Sequence, residues 1–212
     1  MKEILSIIVL IVLFTFSSCN GKKTGSTESI KSEENKTDNN DDVIQQPDEN
    51  KNTKWEERKA KGDTLAMPYK DLQAYLPNIS GYTKDGGASG SQVNMPGMGS
   101  WSETEQKYVS GDKRISVKLM DYNGAFQTFQ GLTMAYGMAF SSEDDTRKQE
   151  KVELGIKNVA AYGTVYKTEK RAEVTVVAAD RFLITIETNG DNDEAFLKTV
   201  ARSINLDTLA GM

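Results

Sequence analysis

Between residues 101 and 122, two alternating segments flank a short polar break, and no other stretch restricts the fold as strongly. Ile115, Val117 and Leu119 alternate with Ser116, Lys118 and Met120, the period of two that puts one face of a strand in a core and the other outside it. Ser110-Gly111-Asp112-Lys113 has the composition of a turn, so residues 101–109 and 114–122 are expected to pair as an antiparallel hairpin. Further strands are expected at 150–154, 160–167, 172–178 and 182–188, with turns at 168–171 and 179–181. Connections this short require antiparallel neighbours, because a parallel crossover needs a dozen or more residues.

Helical spacing fills most of the rest. A first helix is expected at 54–61. A second opens at Pro68, puts Leu72, Tyr75 and Leu76 on one face and stops at Pro77. A third, at 125–140, carries Phe126, Phe129, Thr133 and Tyr136 three and four residues apart, with Gly131 and Gly137 allowing close backbone approach. Asn189-Gly190 ends the strands. Asp191 and Glu194 then resemble a capping box ahead of Phe196, Leu197, Val200, Ala201 and Ile204. Residues 86–99, rich in Gly, Ser and Met, are expected to be a long loop. The expected class is α+β: a twisted antiparallel sheet with helices packed on it.

The chain divides by composition into 1–19, 20–52 and 53–212. Lys2 precedes an apolar run from Ile4 to Phe16, broken only by Ser6 and Thr15 and closed by Ser17, Ser18 and Cys19. The run is shorter than the roughly 20 residues a membrane span needs, and it has the form of a signal peptide. Residues 20–52 are almost wholly polar and bury too little to offset ordering, so a disordered tether is expected. A coil of about 33 residues has a typical reach on the order of 30 Å and an extended limit near about 110 Å. Residues 53–212 are long enough for a single domain with its own core.

Phe16-Ser17-Ser18-Cys19 resembles the lipobox of bacterial lipoproteins. The resemblance implies cleavage before Cys19, acylation of its thiol and a lipid-anchored mature chain. Asn20, in place of the Asp that marks inner-membrane retention in that family, implies the outer membrane facing the periplasm. Cys19 is the only cysteine, so the mature chain forms no internal disulfide and keeps no free thiol once acylated. The segment 182–186 running into Phe196, Val200 and Arg202-Ser203-Ile204 resembles the last strand and helix of PsbP/Mog1-like domains of bacterial lipoproteins. That resemblance implies an accessory, non-catalytic role toward an envelope protein or a small apolar ligand.

The chain has no histidine, which removes Ser-His-Asp and Cys-His catalysis and every His-bearing zinc site. Its formal net charge is −5, and no basic stripe is interleaved with aromatics, so nucleic acid is not an expected partner. No cofactor is expected. Candidate chemistry reduces to three patterns. Glu103 and Glu105 share a strand face, and with Asp121 and Glu173 they supply the acids for the alternative function, a carboxylate-based hydrolase acting on envelope polysaccharide. Glu143, Asp144 and Asp145 form an acidic cluster without EF-hand spacing, simplest as a solvated loop. Met95 with Met98, and Met134 with Met138, are spaced as thioether pairs for Cu(I), although core packing is the simpler explanation. The leading expectation is a non-catalytic binding module on a lipid anchor, its recognition edge formed by Met95, Met98 and Trp101.

Overall fold

The structure, a computed structural model, describes residues 54–95, 99–137, 141–191 and 193–212. The expected signal peptide with Cys19 and the expected tether lie outside the described residues, as do Met98 and Met138. Among the described residues, no helix is long and apolar enough to cross a membrane.

Helices α1 (Lys54–Ala60) and α2 (Tyr69–Leu72) come first. Strands β1 (Thr83–Lys84), β2 (Ser89–Met95), β3 (Gly99–Ser110) and β4 (Lys113–Asp121) follow. After helix α3 (Phe126–Thr133) come β5 (Ser142–Glu143), β6 (Arg147–Val152), β7 (Val159–Tyr166), β8 (Arg171–Ala178) and β9 (Phe182–Asn189). Helices α4 (Glu194–Ser203) and α5 (Leu206–Gly211) close the chain. The strands form one antiparallel sheet in the order β1-β3-β4-β9-β8-β7-β6-β5, with β2 pairing along the same edge of β3 as β1. The expected hairpin is present as β3 and β4, and the class is α+β.

Alternation decides which face is the core. In register, Val117 and Leu119 lie opposite Ile186 and Ile184, which lie opposite Val174 and Val176. All six are fully buried. Leu197, Val200 and Ala201 of α4, and Leu206 and Leu209 of α5, belong to the same core cluster. Each large side chain here is worth about 1.5–3 kcal/mol on full burial. Helix α5 has little intrinsic stability at six residues and was not expected from the sequence. Burial of Leu206, Leu209 and Ala210 holds it, with the Asn205 side chain accepting from Thr208 N.

Two local expectations are corrected. Residues 86–99 are not a continuous loop, because β2 pairs along β3 from Ser89↔Glu105 to Met95↔Gly99. A Gly- and Ser-rich segment has low strand propensity, but a fixed neighbouring strand supplies its hydrogen bonds. Gly90 is needed there, since a methyl would lie 2.5 Å from the Tyr69 ring and 2.8 Å from the Glu103 carbonyl. The cap of α4 is Asp193, whose side chain accepts from Phe196 N at 3.0 Å. Asp191 stands too far ahead of the helix and pairs with Lys113.

Tyr108 shows how tightly the core is closed. It is almost fully buried, its hydroxyl donates to the Pro77 carbonyl at 2.6 Å, and burial pushes its pKa up to about 12. The unfolded chain releases this proton near pH ~10, before the folded chain does, so stability falls as pH rises from about 10 to about 12. Tyr108→Phe is expected to cost about 1 kcal/mol at neutral pH by orphaning the carbonyl and to flatten part of that alkaline slope. Urea titrations of both proteins across the window check this; identical slopes would refute the assignment.

Candidate functional site

A polar knot fixes one end of the sheet. Arg181 Nε and Nη2 donate to the two Asp121 oxygens at 2.9 and 2.7 Å, and Asn123 N and Met67 N donate to the same oxygens at 2.8 and 2.7 Å. Arg58 of α1 donates to Asn123 Oδ1 at 2.7 Å and to the carbonyls of Ala179 and Asp180 at 2.8 and 3.1 Å. Ala179 and Asp180 both have positive φ, the geometry of a two-residue hairpin turn. Burial, with Arg181 nearby, lowers the Arg58 pKa from its ordinary value. With each Asp121 oxygen accepting two hydrogen bonds, the knot is built to hold α1 and the 63–67 segment on the sheet.

The face opposite the core is covered only in part. Phe129, Tyr122 and Ala125 are buried there, packed with Trp101, Met120, Phe126, Val177 and Leu183. Thus α3 closes over the Met120–Leu183–Val177 row of the sheet. Farther along the strands the same face turns polar: Thr185, Thr175 and Tyr162 form one row, and Glu187, Glu173 and Thr164 the next.

Where α3 and the turn Met134–Gly137 meet this polar face, a trough of about 240 Å³ opens. Leu132 and Tyr136 form its lip, and Gln149, Tyr162, Gly163, Thr164, Tyr166, Glu173 and Thr175 line the rest. The Tyr136 and Tyr162 rings lie 4.9 Å apart, tilted by 34°. Gln149 Nε2 donates to Thr164 Oγ1 at 3.2 Å, and Thr175 Oγ1 donates to Glu173 Oε1 at 3.0 Å. The Arg171 guanidinium sits 4.2 Å from the Tyr166 ring centroid, donates to Glu187 at 2.8 Å and lies 3.8 Å from Glu173. A larger hollow of about 360 Å³ is bounded by Asp85, Lys107 and Arg114, long charged side chains on a more open surface. Another, of about 500 Å³, is bounded by Trp55, Lys59, Gly99 and Phe126.

The acids singled out from the sequence are engaged, except Asp145, which is exposed. Glu103 pairs with Lys118 at 2.9 Å, Glu105 accepts from Ser116 at 2.7 Å, and Asp121 is the buried centre of the knot. Asp144 ties its own turn: the hydroxyl and backbone N–H of Thr146 and the N–H of Arg147 pull its pKa down to about 2. Glu143 pairs with Lys167 at 2.8 Å. Of the expected recognition edge, Met95 is exposed at the end of β2, and Trp101 is half-buried opposite Val93 in the cluster under α3. Met134 is exposed after α3.

The trough escaped the sequence reading as a site, although Tyr136 was read there as a helix-face position and Glu173 as a candidate hydrolase acid. The alternation Tyr162, Thr164, Tyr166 on β7 was the available signal, because an outward strand face carrying aromatics rather than charges asks for a reason.

No family model matches the sequence, and no curated protein matches it. Among solved structures, the extracellular domain of PknH from Mycobacterium tuberculosis is similar over 70% of this chain and 100% of that chain, at 9% identity and a TM-score of 0.43.

Proposed function

We propose that this chain is a lipid-anchored, non-catalytic binding module of the bacterial cell envelope, and that its ligand occupies the trough beneath α3. The carrying observation is the trough itself: a concave site with an apolar lip and a polar floor, the combination in which small ligands are held and oriented. Its two outer walls come from different parts of the chain, the turn after α3 and the strands β6–β8. Lipidation rests on the lipobox resemblance around Cys19, and the accessory role on the likeness of β9 and α4 to the end of a PsbP/Mog1-like domain. Outer-membrane placement facing the periplasm follows from Asn20. A hydrolytic role would instead need two acids free to face a substrate across one cleft, whereas Glu173 and Glu187, neighbours in register, both pair with Arg171.

The anchor is tested in the cell that makes the protein. Cys19→Ser is expected to abolish incorporation of an alkyne-tagged palmitate and to move the protein from the membrane to the soluble envelope fraction. Label and membrane association that survive the substitution would overturn lipidation at this residue.

Binding in the trough is tested on the full chain in detergent, with selective labelling of tyrosine rings. Small molecules of several chemical classes are titrated while the resonances of Tyr136, Tyr162 and Tyr166 are followed. A saturable shift of these rings is expected for at least one class. Movement of none of them by any class would sink the reading.

A further inference from the structure

We infer that the trough takes a neutral polyhydroxylated ring, the chemistry of one monosaccharide unit of a glycan. This rests on the ligand-binding reading above and replaces the apolar ligand that the family resemblance implies.

Size is the first ground. Drug-sized ligands occupy clefts of about 300–1,000 Å³, and at about 240 Å³ this trough suits a single ring. The second is hydrogen-bonding capacity. Thr164 and Thr175 are buried at 9% and 5% exposure, yet both line the trough. Gln149 spends one amide hydrogen on Thr164 and retains a second, together with its carbonyl. Thr164 accepts that bond and keeps its own hydroxyl hydrogen. Thr175 gives its hydrogen to Glu173 and keeps acceptor lone pairs. Donors and acceptors thus alternate across strands about 4.8 Å apart. A ring hydroxyl both donates and accepts, so adjacent hydroxyls match such a floor where a purely donating or purely accepting ligand does not.

Charge is the third ground. Among the described residues that line the trough, Glu173 is the one acid and none is a lysine or arginine. An anion would therefore meet a carboxylate. A cation would compete with Arg171, which already lies near Glu173 and over the face of Tyr166. Neutral ligands incur neither penalty. The last ground is the wall. Tyr136 and Tyr162 offer ring carbon, and Leu132, 48% exposed, extends the apolar lip. The C–H face of a sugar ring packs on such a wall while its hydroxyls reach the floor.

The test uses the full chain in detergent and four probe classes: neutral monosaccharides (glucose, galactose, mannose and N-acetylglucosamine), inorganic phosphate, tetramethylammonium and indole. At least one monosaccharide is expected to bind with a Kd of about 1 mM or tighter, shifting the Tyr162 resonances. Thr164→Val and Gln149→Ala should each weaken it about tenfold while leaving the thermal midpoint near that of the parent. Phosphate, tetramethylammonium or indole binding in the trough in place of sugars would overturn the sugar assignment and leave the ligand-binding reading standing. Sugar binding indifferent to both substitutions would also overturn it, by placing the sugar elsewhere. Failure of every probe class to move the trough tyrosines would overturn both readings.

Discussion

Asp121→Ala is expected to lower the unfolding free energy by about 3–5 kcal/mol, the cost of breaking a buried ion pair from one side. Arg181 is 5% exposed and would keep its charge with one far partner, Asp63 at 3.5 Å. Met67 N and Asn123 N would lose their acceptor at the same time. A domain holds only about 5–15 kcal/mol in all, so this single change removes a large share. Urea unfolding should show a lower midpoint at unchanged slope. Asp121→Asn should cost less, since the amide keeps the shape and one acceptor oxygen. Replacing Asp121 and Arg181 together by Leu and Met should recover part of the loss, because an apolar pair of similar volume is often neutral in place of a buried ion pair. A loss under about 1 kcal/mol for the alanine variant would show that water reaches the knot.

Phe182→Ala is the second large effect, at about 3–5 kcal/mol. Phe182 is fully buried at the start of β9, in register with Asp121 on one side and Ala178 on the other, and the Arg181 guanidinium lies 4.8 Å from its ring centroid. Truncation therefore empties core volume and strips one wall from the ion pair. Because the two sites touch, the double variant Asp121→Ala with Phe182→Ala should cost less than the sum of the singles, by about 0.5–3 kcal/mol of coupling. Strict additivity in the same urea titrations would mean that the ring and the ion pair act independently.

The parts of the sheet that face a core on one side were legible in the sequence. On β4 and β9, Ile115, Val117, Leu119, Ile184 and Ile186 must all point inward, and a one-residue slip would expose every one of them. Strand β2 was not legible, because its side chains are mostly exposed and its pairing comes from the backbone of β3. Helix α5 was missed for a related reason: tertiary burial, not length or propensity, holds it. Asp121 read as an available acid because nothing local announces that Arg181, sixty residues away, will cover it. The trough was the least legible feature. Tyr136 follows α3 while Tyr162 lies on β7, and only the packing of α3 across the sheet brings the two rings together.

Arg58 also defines a load path. The chain enters the sheet through α1, where Lys54 N donates to Asp180 at 3.2 Å, Arg58 grips the β8–β9 turn, and Trp55 stacks on Phe126 with ring centroids 4.4 Å apart. Tension arriving along the chain before Lys54 is thus borne by hydrogen bonds to the β8–β9 turn before it reaches any strand ladder. Trp55 stands between Lys54 and Arg58, so the same pull would also load its stack on Phe126 and through it α3, which contributes Leu132 to the trough.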